Sequence, residues 1–170
     1  DVLITADMRG VDSHGVSNLL RRYLDDYSDG LINPQPDWTI IRESPATATV
    51  DCDNGLGSII APKAMRVAIE KARATGIGVV TMRKGRHLGM ASYHAMLALE
   101  SDMIGVCMTA VNPWVPPVFG REPRLGTNPI AVAVPSGGSH PFVLDISTSV
   151  VPVNRLRQEQ RFNSLVPGGW

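Results

Sequence analysis

The sequence predicts a mixed α/β fold, a two-layer sandwich with a helical segment at its N-terminus. Short β-like runs alternate with helical patterns along the chain, which favours helices packed on a sheet. The chain has 170 residues, 44% of them hydrophobic, so it can bury a substantial core. No Gly-x-Gly-x-x-Gly fingerprint follows a predicted strand, which disfavours an ordinary Rossmann domain.

The first quarter of the chain predicts one amphipathic helix followed by two strands. Apolar residues recur with the helical period from Val16 to Tyr27, and Gly30 ends that pattern. β-Favouring residues at 38–42 and 47–52 predict the strands, because a proline-containing turn separates them and an Asp-Asn-Gly turn closes the second. We expect these two strands to pair antiparallel.

The remaining chain predicts three more helices and four more strands. A helical stripe follows Pro62, which suits a first helical turn, and ends at Gly76. A proline-rich loop is expected between Val111 and Arg124. The other predicted elements are strands at 77–82, 104–109, 130–134 and 142–146 and helices at about 89–100 and 151–165.

Charge and cysteine content exclude several classes of function. Sixteen basic residues balance sixteen acidic ones, so no basic field is present to attract nucleic acid or an anionic membrane surface. No apolar run reaches the roughly 18 residues that a membrane span needs. Cys52 and Cys107 fit neither a metal-ligand spacing nor a disulfide framework, which favours a reducing cytoplasm.

The segment Gly85 to Ala91 is the most informative stretch for chemistry. It ends a β-like run and opens a helical one, and it leaves the imidazole of His87 at the junction. Open α/β folds place their chemistry at such junctions, and histidine exchanges protons near neutral pH. From the residues alone, a general acid/base and a turn histidine bonded to the backbone both stay open.

Three further segments accompany the histidine junction and carry a family resemblance. They are Asp12-Ser13-His14-Gly15 at a helix start, Leu125-Gly126-Thr127-Asn128-Pro129 before a strand, and Asp145-Ile146-Ser147-Thr148-Ser149 after one. With the junction, in this order and spacing, they resemble the malate/L-lactate dehydrogenase-like family of NAD(P)-dependent oxidoreductases. That family includes ureidoglycolate, sulfolactate and diketogulonate dehydrogenases. The resemblance covers about 6–170.

The resemblance implies a non-Rossmann nucleotide-binding fold and hydride transfer between NAD or NADP and a small 2-hydroxy or 2-oxo acid. It implies that His87 is the catalytic proton acceptor, acting as general acid/base. His14 matches a substrate-contacting histidine and is a second catalytic candidate beside Ser13. Thr127 and Asn128 match residues near the nicotinamide and substrate. Cofactor contacts are also implied for Asp145, Ile146 and Ser147.

One position departs from the family pattern. Relatives usually carry Arg four residues after the Ser-His-Gly histidine, where a guanidinium can hold a carboxylate in bidentate fashion, but this chain has Asn18. On a helical projection Arg21 shares a face with His14 and Asn18, so it is the predicted replacement. Asn18 could instead mark a substrate without that carboxylate. The predicted substrate site contains Ser13, His14, Asn18, Arg21 and Thr127.

The resemblance also divides the chain into three sections. Residues 1–44 are expected to be a helical, substrate-side part of a discontinuous domain, 45–150 the α/β nucleotide-binding domain, and 151–170 the start of a helix that returns to the helical domain. Members of the family are about twice as long, so the chain is expected to be part of a larger enzyme. A homodimer is expected, since dimers are typical of the family.

Two other functions stay open. The chain could be a catalytically incomplete fragment that keeps only a binding surface or needs a second chain. It could also be a metal-dependent hydrolase built on His14 and His87 with Asp12 or Asp145, although no metal-ligand spacing supports this and we expect no metal. Tyr93 and His94 are interpreted as packing or surface residues, and His140 as a turn residue.

Overall fold

The computed structural model describes residues 1–169 and has the predicted mixed α/β architecture; Trp170, which ends the predicted third section, lies outside those residues. The helices are α1 (Val2–Met8), α2 (Val16–Ser28), α3 (Gly57–Thr75), α4 (Ala91–Met96) and α5 (Val153–Phe162). The strands are β1 (Thr39–Glu43), β2 (Thr47–Asp51), β3 (Val79–Arg83), β4 (Gly105–Met108), β5 (Ile130–Val134) and β6 (Phe142–Ile146). Two 3₁₀ turns cover Asp12–His14 and Leu97–Ser101.

The first sheet has the strand order β1-β2-β3. The pairing of β1 with β2 is antiparallel, as predicted, and β2 pairs parallel with β3 after the chain crosses over through α3. Val50 and Cys52 at the end of β2 pack on Ile60 of α3, and all three are fully buried. The strand β1 therefore pairs across the boundary expected at residue 44. The three-section division stays a prediction.

The second sheet is an antiparallel meander with the order β4-β5-β6. Its core is made of small residues: Ala131 and Ala133 of β5 pack on Ala91 and Ala95 of α4. Such contacts let the helix lie close to the sheet. The meander thereby brings the end of β6 beside the start of α4, where the histidine junction also ends.

Three elements differ from the sequence prediction. Helix α1 was not predicted; it is stabilised by tertiary contact, because Val2 and Ala6 pack on Met90. Helix α3 begins at Gly57, so Pro62 lies inside it and not in its first turn. The helix expected at 89–100 is an α-helix only to Met96 and then tightens into a 3₁₀ turn. The non-Rossmann sandwich character stays a prediction.

Helix α2 is anchored by its apolar face, as the periodicity predicts. Leu19 and Tyr23 form a buried cluster with Ile32 and Leu56. This packing fixes the rotation of α2, so Tyr23 points toward the loop that precedes α4. Within residues 1–169, no helix is both long and apolar enough to cross a membrane.

The N-terminus of α3 lies directly against the histidine junction. A Cβ atom built on Gly57 would collide with the carbonyl oxygen of Arg86 and lie 3.0 Å from the carbonyl oxygen of His87 and from the Cα of Leu88. The neighbours are backbone atoms, so they cannot rotate away. Glycine at this position therefore sets how closely the loop approaches α3.

We expect Gly57→Ala to lower the free energy of unfolding by about 1–3 kcal/mol, because the added methyl group forces the backbone of the loop to move. Urea denaturation measures this change. Gly137→Ala is the matched control, since a Cβ there meets nothing within 4 Å, and it should change stability by less than about 0.5 kcal/mol. Equal stability losses in the two variants would contradict the close approach.

Candidate active site

The fold brings two histidines that are distant in sequence into direct contact. The rings of His14 and His87 are stacked, with centroids 5.7 Å apart and an angle of 15° between their planes. His14 ends the 3₁₀ turn before α2, and His87 lies in the loop between β3 and α4. The meeting of these two segments forms the centre of the candidate site.

A carboxylate and a glycine shape the turn that carries His14. The backbone N–H of Val16 donates to Oδ2 of Asp7 at 2.9 Å, which satisfies a free donor at the start of α2. The same carboxylate occupies the space where a side chain at Gly15 would lie. A side chain at position 15 would displace this carboxylate, and the chain leaves the turn in an extended conformation at Gly15.

His87 is held through a single ring nitrogen. The hydroxyl oxygen of Tyr23 lies 2.7 Å from Nδ1, and the backbone N–H of Gly89 donates to the same atom at 3.2 Å. A backbone N–H can only donate, so Nδ1 is an acceptor and the neutral ring carries its hydrogen on Nε2. The loop reaches this geometry because Gly89 has a φ of +79°.

Burial keeps both rings neutral. The pKa of His87 is lowered from 6.5 to about 3, mainly by burial and in addition by positive charge at Arg22 and, when it is protonated, at His14. Burial also lowers the pKa of His14, where the carboxylate of Asp145 acts in the opposite direction. The pKa of the Tyr23 hydroxyl is raised by burial, so this group stays protonated.

A cavity of about 390 Å³ opens beside the histidine pair. His14 is in its wall, whereas His87 is not among the lining residues and stacks behind His14. Six of the predicted site residues line this cavity: Ser13, His14, Thr127, Asp145, Ile146 and Ser147. The other predicted site residues, which do not line it, are Asn18, Arg21, His87 and Asn128.

Backbone contacts hold the far wall of the cavity. Oδ2 of Asp145 accepts a hydrogen bond from the N–H of Ser92 at 2.7 Å and so fixes β6 to the start of α4. Asn128, with a φ of +34°, accepts from the N–H of Val111 at 3.0 Å. The side chain of Asn128 therefore shapes its loop, and Asp145 brings a negative charge to the cavity.

The two polar residues predicted on α2 are placed away from the cavity. Asn18 donates to the carbonyl oxygen of Asp12 at 2.5 Å and accepts from Arg161 of α5 at 2.5 Å. Arg21 is exposed. The helical projection from His14 fails because the extended Gly15 separates the 3₁₀ turn from α2 and changes the phase. The assigned roles of Asn18 and Arg21 stay predictions.

Sequence reasoning missed three residues that act on the pair. Tyr23 was counted only in the apolar stripe, yet a buried tyrosine hydroxyl needs a hydrogen-bond partner, which is a usable signal. The positive charge of Arg22 lowers the pKa of both His14 and His87. Asn154 of α5 donates to the carbonyl oxygen of Ser13 at 2.9 Å, and nothing in the sequence indicated this contact.

The other histidines behave as interpreted. His94 is 1% exposed, and its Nε2 lies 2.8 Å from the carbonyl oxygen of Leu88, so it packs beneath the histidine junction. His140 is exposed in a bend. Among residues 1–169, no three His, Cys, Asp or Glu side chains converge as they would around a metal ion.

We expect His87 to stay neutral between pH 8 and pH 5, because its pKa is lowered to about 3. NMR of ring-labelled histidine, assigned with a His87→Gln variant, measures this directly. In the unfolded chain the same group titrates near 6.5. The unfolded state therefore binds a proton that the folded state does not, and the free energy of unfolding falls as pH decreases from about 7 toward 3. Titration of His87 near pH 6.5 would contradict the conclusion that burial lowers the pKa of this ring.

Comparison with known proteins identifies the family. The model of the malate/L-lactate dehydrogenase family matches residues 1–170. Malate dehydrogenase of Pyrococcus abyssi is 50% identical over 170 residues, which are all of this chain and 46% of that protein. Ureidoglycolate dehydrogenase (NAD(+)) of Escherichia coli (strain K12) is 32% identical over all of this chain and 48% of that protein.

A solved structure shows the same fold. The crystal structure of malate dehydrogenase from Entamoeba histolytica superimposes with a TM-score of 0.96 at 39% identity, over 100% of this chain and 47% of that one. The chain thus spans about half the length of the proteins it matches. The family match over every residue agrees with the resemblance drawn from the four motifs. This chain belongs to the malate/L-lactate dehydrogenase family.

Proposed function

We propose that the protein is an oxidoreductase that transfers a hydride between NAD or NADP and a small 2-hydroxy or 2-oxo acid similar to malate or lactate. The observation that carries this proposal is the cavity that presents His14, Ser13 and Thr127 beside a second, stacked histidine. Oxidation of a secondary alcohol needs one group that takes the hydroxyl proton and others that hold the acid. Relatives named malate and ureidoglycolate dehydrogenase support this reaction class.

His14 is the group that we assign to proton transfer. It lines the cavity, its Nδ1 lies 2.9 Å from Oγ of Ser13, and the charge of Asp145 opposes the lowering of its pKa by burial. A general acid/base works best when its pKa lies near the working pH. His87, the residue predicted from the sequence, has a pKa lowered to about 3, so we assign it a neutral role. The kcat values of His14→Gln and His87→Gln variants distinguish proton transfer by His14 from proton transfer by His87.

The acid group of the substrate needs a positive charge nearby. Arg22 can supply this charge, since it lowers the pKa of both histidines. Its Nε lies 3.8 Å from Oδ2 of Asp26, which makes a long ion pair that is open to solvent. Such an exposed ion pair is weak, so the guanidinium can exchange its partner for a carboxylate. Arg21, the sequence-based choice, is the competing candidate on the same helix.

The cavity wall suits the nicotinamide end of a dinucleotide. Ile146 and Pro129 offer apolar surface, and the hydroxyls of Thr127 and Ser147 offer hydrogen bonds to a carboxamide. When bound, the nicotinamide supplies or accepts the hydride. The protein's own groups orient the acid and exchange the proton. Titration with NADH and NADPH decides whether the site accepts the additional 2′-phosphate of NADP.

We also propose a homodimer in the reducing cytoplasm. Cys52 and Cys107 are free thiols, as a reducing compartment allows. Large apolar side chains at Val118, Phe119 and Leu165 are 84%, 104% and 95% exposed, which is typical of surface that another polypeptide covers. The alternative of an incomplete fragment that only binds is an outcome of the activity test below.

We expect His14→Gln to lower kcat by about 10²–10⁴-fold, because it removes the proton-transfer group from the cavity. His87→Gln should lower it less and raise KM instead. Reduction of a 2-oxo acid, followed by the loss of NADH or NADPH absorbance, measures both. Far-ultraviolet circular dichroism checks that each variant is folded.

The opposite ranking, with His87→Gln the more severe variant in kcat, would return the proton-transfer role to His87. If purified protein binds NADH or NADPH in a fluorescence titration but turns over no 2-oxo acid, the fragment alternative is correct. If it binds neither, the proposed function is wrong.

We expect Arg22→Ala to raise KM for a 2-oxo acid by about tenfold, because a charge-assisted contact to a carboxylate contributes roughly 1.5 kcal/mol or more. Arg21→Ala is the matched control: it removes the same charge from the adjacent, exposed position and should change KM by less than about twofold. Steady-state kinetics at constant ionic strength compares the two. A larger KM effect for Arg21→Ala would restore Arg21 as the anchor.

A further inference from the structure

Helix α5 begins at the edge of the cavity that holds His14. Pro152, which directly precedes the helix, lines the cavity together with Val150. Ser13 and His14 line the same cavity from the turn before α2. The wall is thus built from two segments that are distant in the sequence, and a contact between α5 and the turn determines how these segments are held together.

Asn154 of α5 makes such a contact. Its Nδ2 donates a hydrogen bond to the carbonyl oxygen of Ser13 at 2.9 Å, across 141 positions of the sequence. A carbonyl oxygen can only accept, so the NH2 side of the amide faces the turn, while Oδ1 lies 3.4 Å from Nη1 of Arg157. Asn154 is only partly exposed, which limits the competition from water for this hydrogen bond.

The hydrogen bond from Asn154 fixes the peptide that leads into His14. The carbonyl group of the Ser13–His14 peptide accepts from Asn154, and the N–H of the same peptide donates to the carbonyl oxygen of Val11 at 2.9 Å. A peptide unit is planar, so a unit that is bound on both sides cannot rotate without losing a hydrogen bond. The Cα atom of His14 belongs to this unit, and the direction of the imidazole therefore depends on Asn154.

The other end of α5 is bound to the same region. Nη2 of Arg161 donates to Oδ1 of Asn18 at 2.5 Å, and Nη1 donates to the carbonyl oxygen of Ser17 at 3.3 Å. Asn154 and Arg161 are about two helical turns apart, so they lie on one face of α5. Arg161 is exposed, and water competes for its contacts more than for that of Asn154. One face of α5 therefore lies against the start of α2.

We propose that Asn154 is a positioning residue that holds the Ser13–His14 peptide, so that the imidazole of His14 stays in the wall of the cavity and is shielded from water. The inference rests on the proposed function for the reaction in which His14 takes part. Asn154 acts on His14 through the backbone of the turn and exchanges no proton itself.

The test replaces Asn154 by Ala and by Leu. Both variants lack the donor, and Leu keeps a side chain of similar size, so an effect that the two share comes from the lost hydrogen bond and not from a change in volume. Gln160→Ala is the matched control, because Gln160 is exposed on the same helix and its side chain makes no hydrogen bond within residues 1–169. Thermal denaturation measures the stability of each variant.

NMR titration of ring-labelled histidine reports the surroundings of His14 without substrate or cofactor, with a His14→Gln variant for assignment. Burial is the main cause that lowers the pKa of His14, so we expect this pKa to rise toward 6.5 in both Asn154 variants and to stay unchanged in Gln160→Ala. A neutral residue replaces a neutral one, so the titratable groups that face the ring stay the same: Asp145 of β6, Arg22 of α2 and His87 of the loop before α4.

The kinetics should change in the same variants. We expect both Asn154 variants to lower kcat for reduction of a 2-oxo acid by about three- to tenfold, in line with the loss of one hydrogen bond that positions the ring. The pH dependence of kcat should shift in the same direction as the pKa of His14. Gln160→Ala should keep the kcat of the parent protein.

An unchanged pKa of His14 in both Asn154 variants overturns the inference even if their thermal stability falls, because a purely structural contact lowers stability without altering the surroundings of the ring. A shift in only one of the two variants, or an equal shift in Gln160→Ala, overturns it as well. So does an active protein whose kcat is the same with and without Asn154. If the parent protein turns over no 2-oxo acid, the proposed function fails, and the titration still decides whether Asn154 positions His14.

Discussion

The close approach of the loop 86–89 to helices α2 and α3 is the constraint on which the site depends. The loop lies there because Gly57 leaves room for its backbone, because Gly89 adopts a positive φ, and because the Tyr23 hydroxyl and the Gly89 N–H both contact Nδ1 of His87. With the loop in place, His87 meets the ring of His14. A small shift of the loop would separate the rings, so packing in the core of α2 is transmitted directly to the chemistry.

The electrostatics of the pair follow from where each ring is buried. Burial is the main cause that lowers the pKa of His87, with positive charge at His14 and Arg22 adding to it, whereas the Asp145 carboxylate opposes the effect of burial on His14. Asp145 is itself held by the N–H of Ser92 at the start of α4. Two histidines in one site therefore have different environments, which is the basis for proposing an acid/base role for His14 and a neutral role for His87.

Much of the fold could be predicted from periodicity, because α2 and the six strands carry clear apolar patterns. Helix α1 could not, since its stability comes from the contact of Val2 and Ala6 with Met90, far along the chain. The motifs predicted the cavity wall at Ser13, His14, Thr127 and Asp145–Ser147. They could not distinguish the surroundings of the two histidines, because the burial of His87 and its contact with Tyr23 arise only from tertiary structure.

The account's central claim is that His14, in the wall of the cavity, exchanges the proton with the substrate, while His87 stays neutral behind it. A crystal structure of the protein with NADH and oxamate, an unreactive analogue of a 2-oxo acid, tests it most directly. The account predicts oxamate in the cavity, with one oxygen within about 3.2 Å of Nε2 of His14. Oxamate bound elsewhere, or bound in the cavity without contact to His14, would contradict the account.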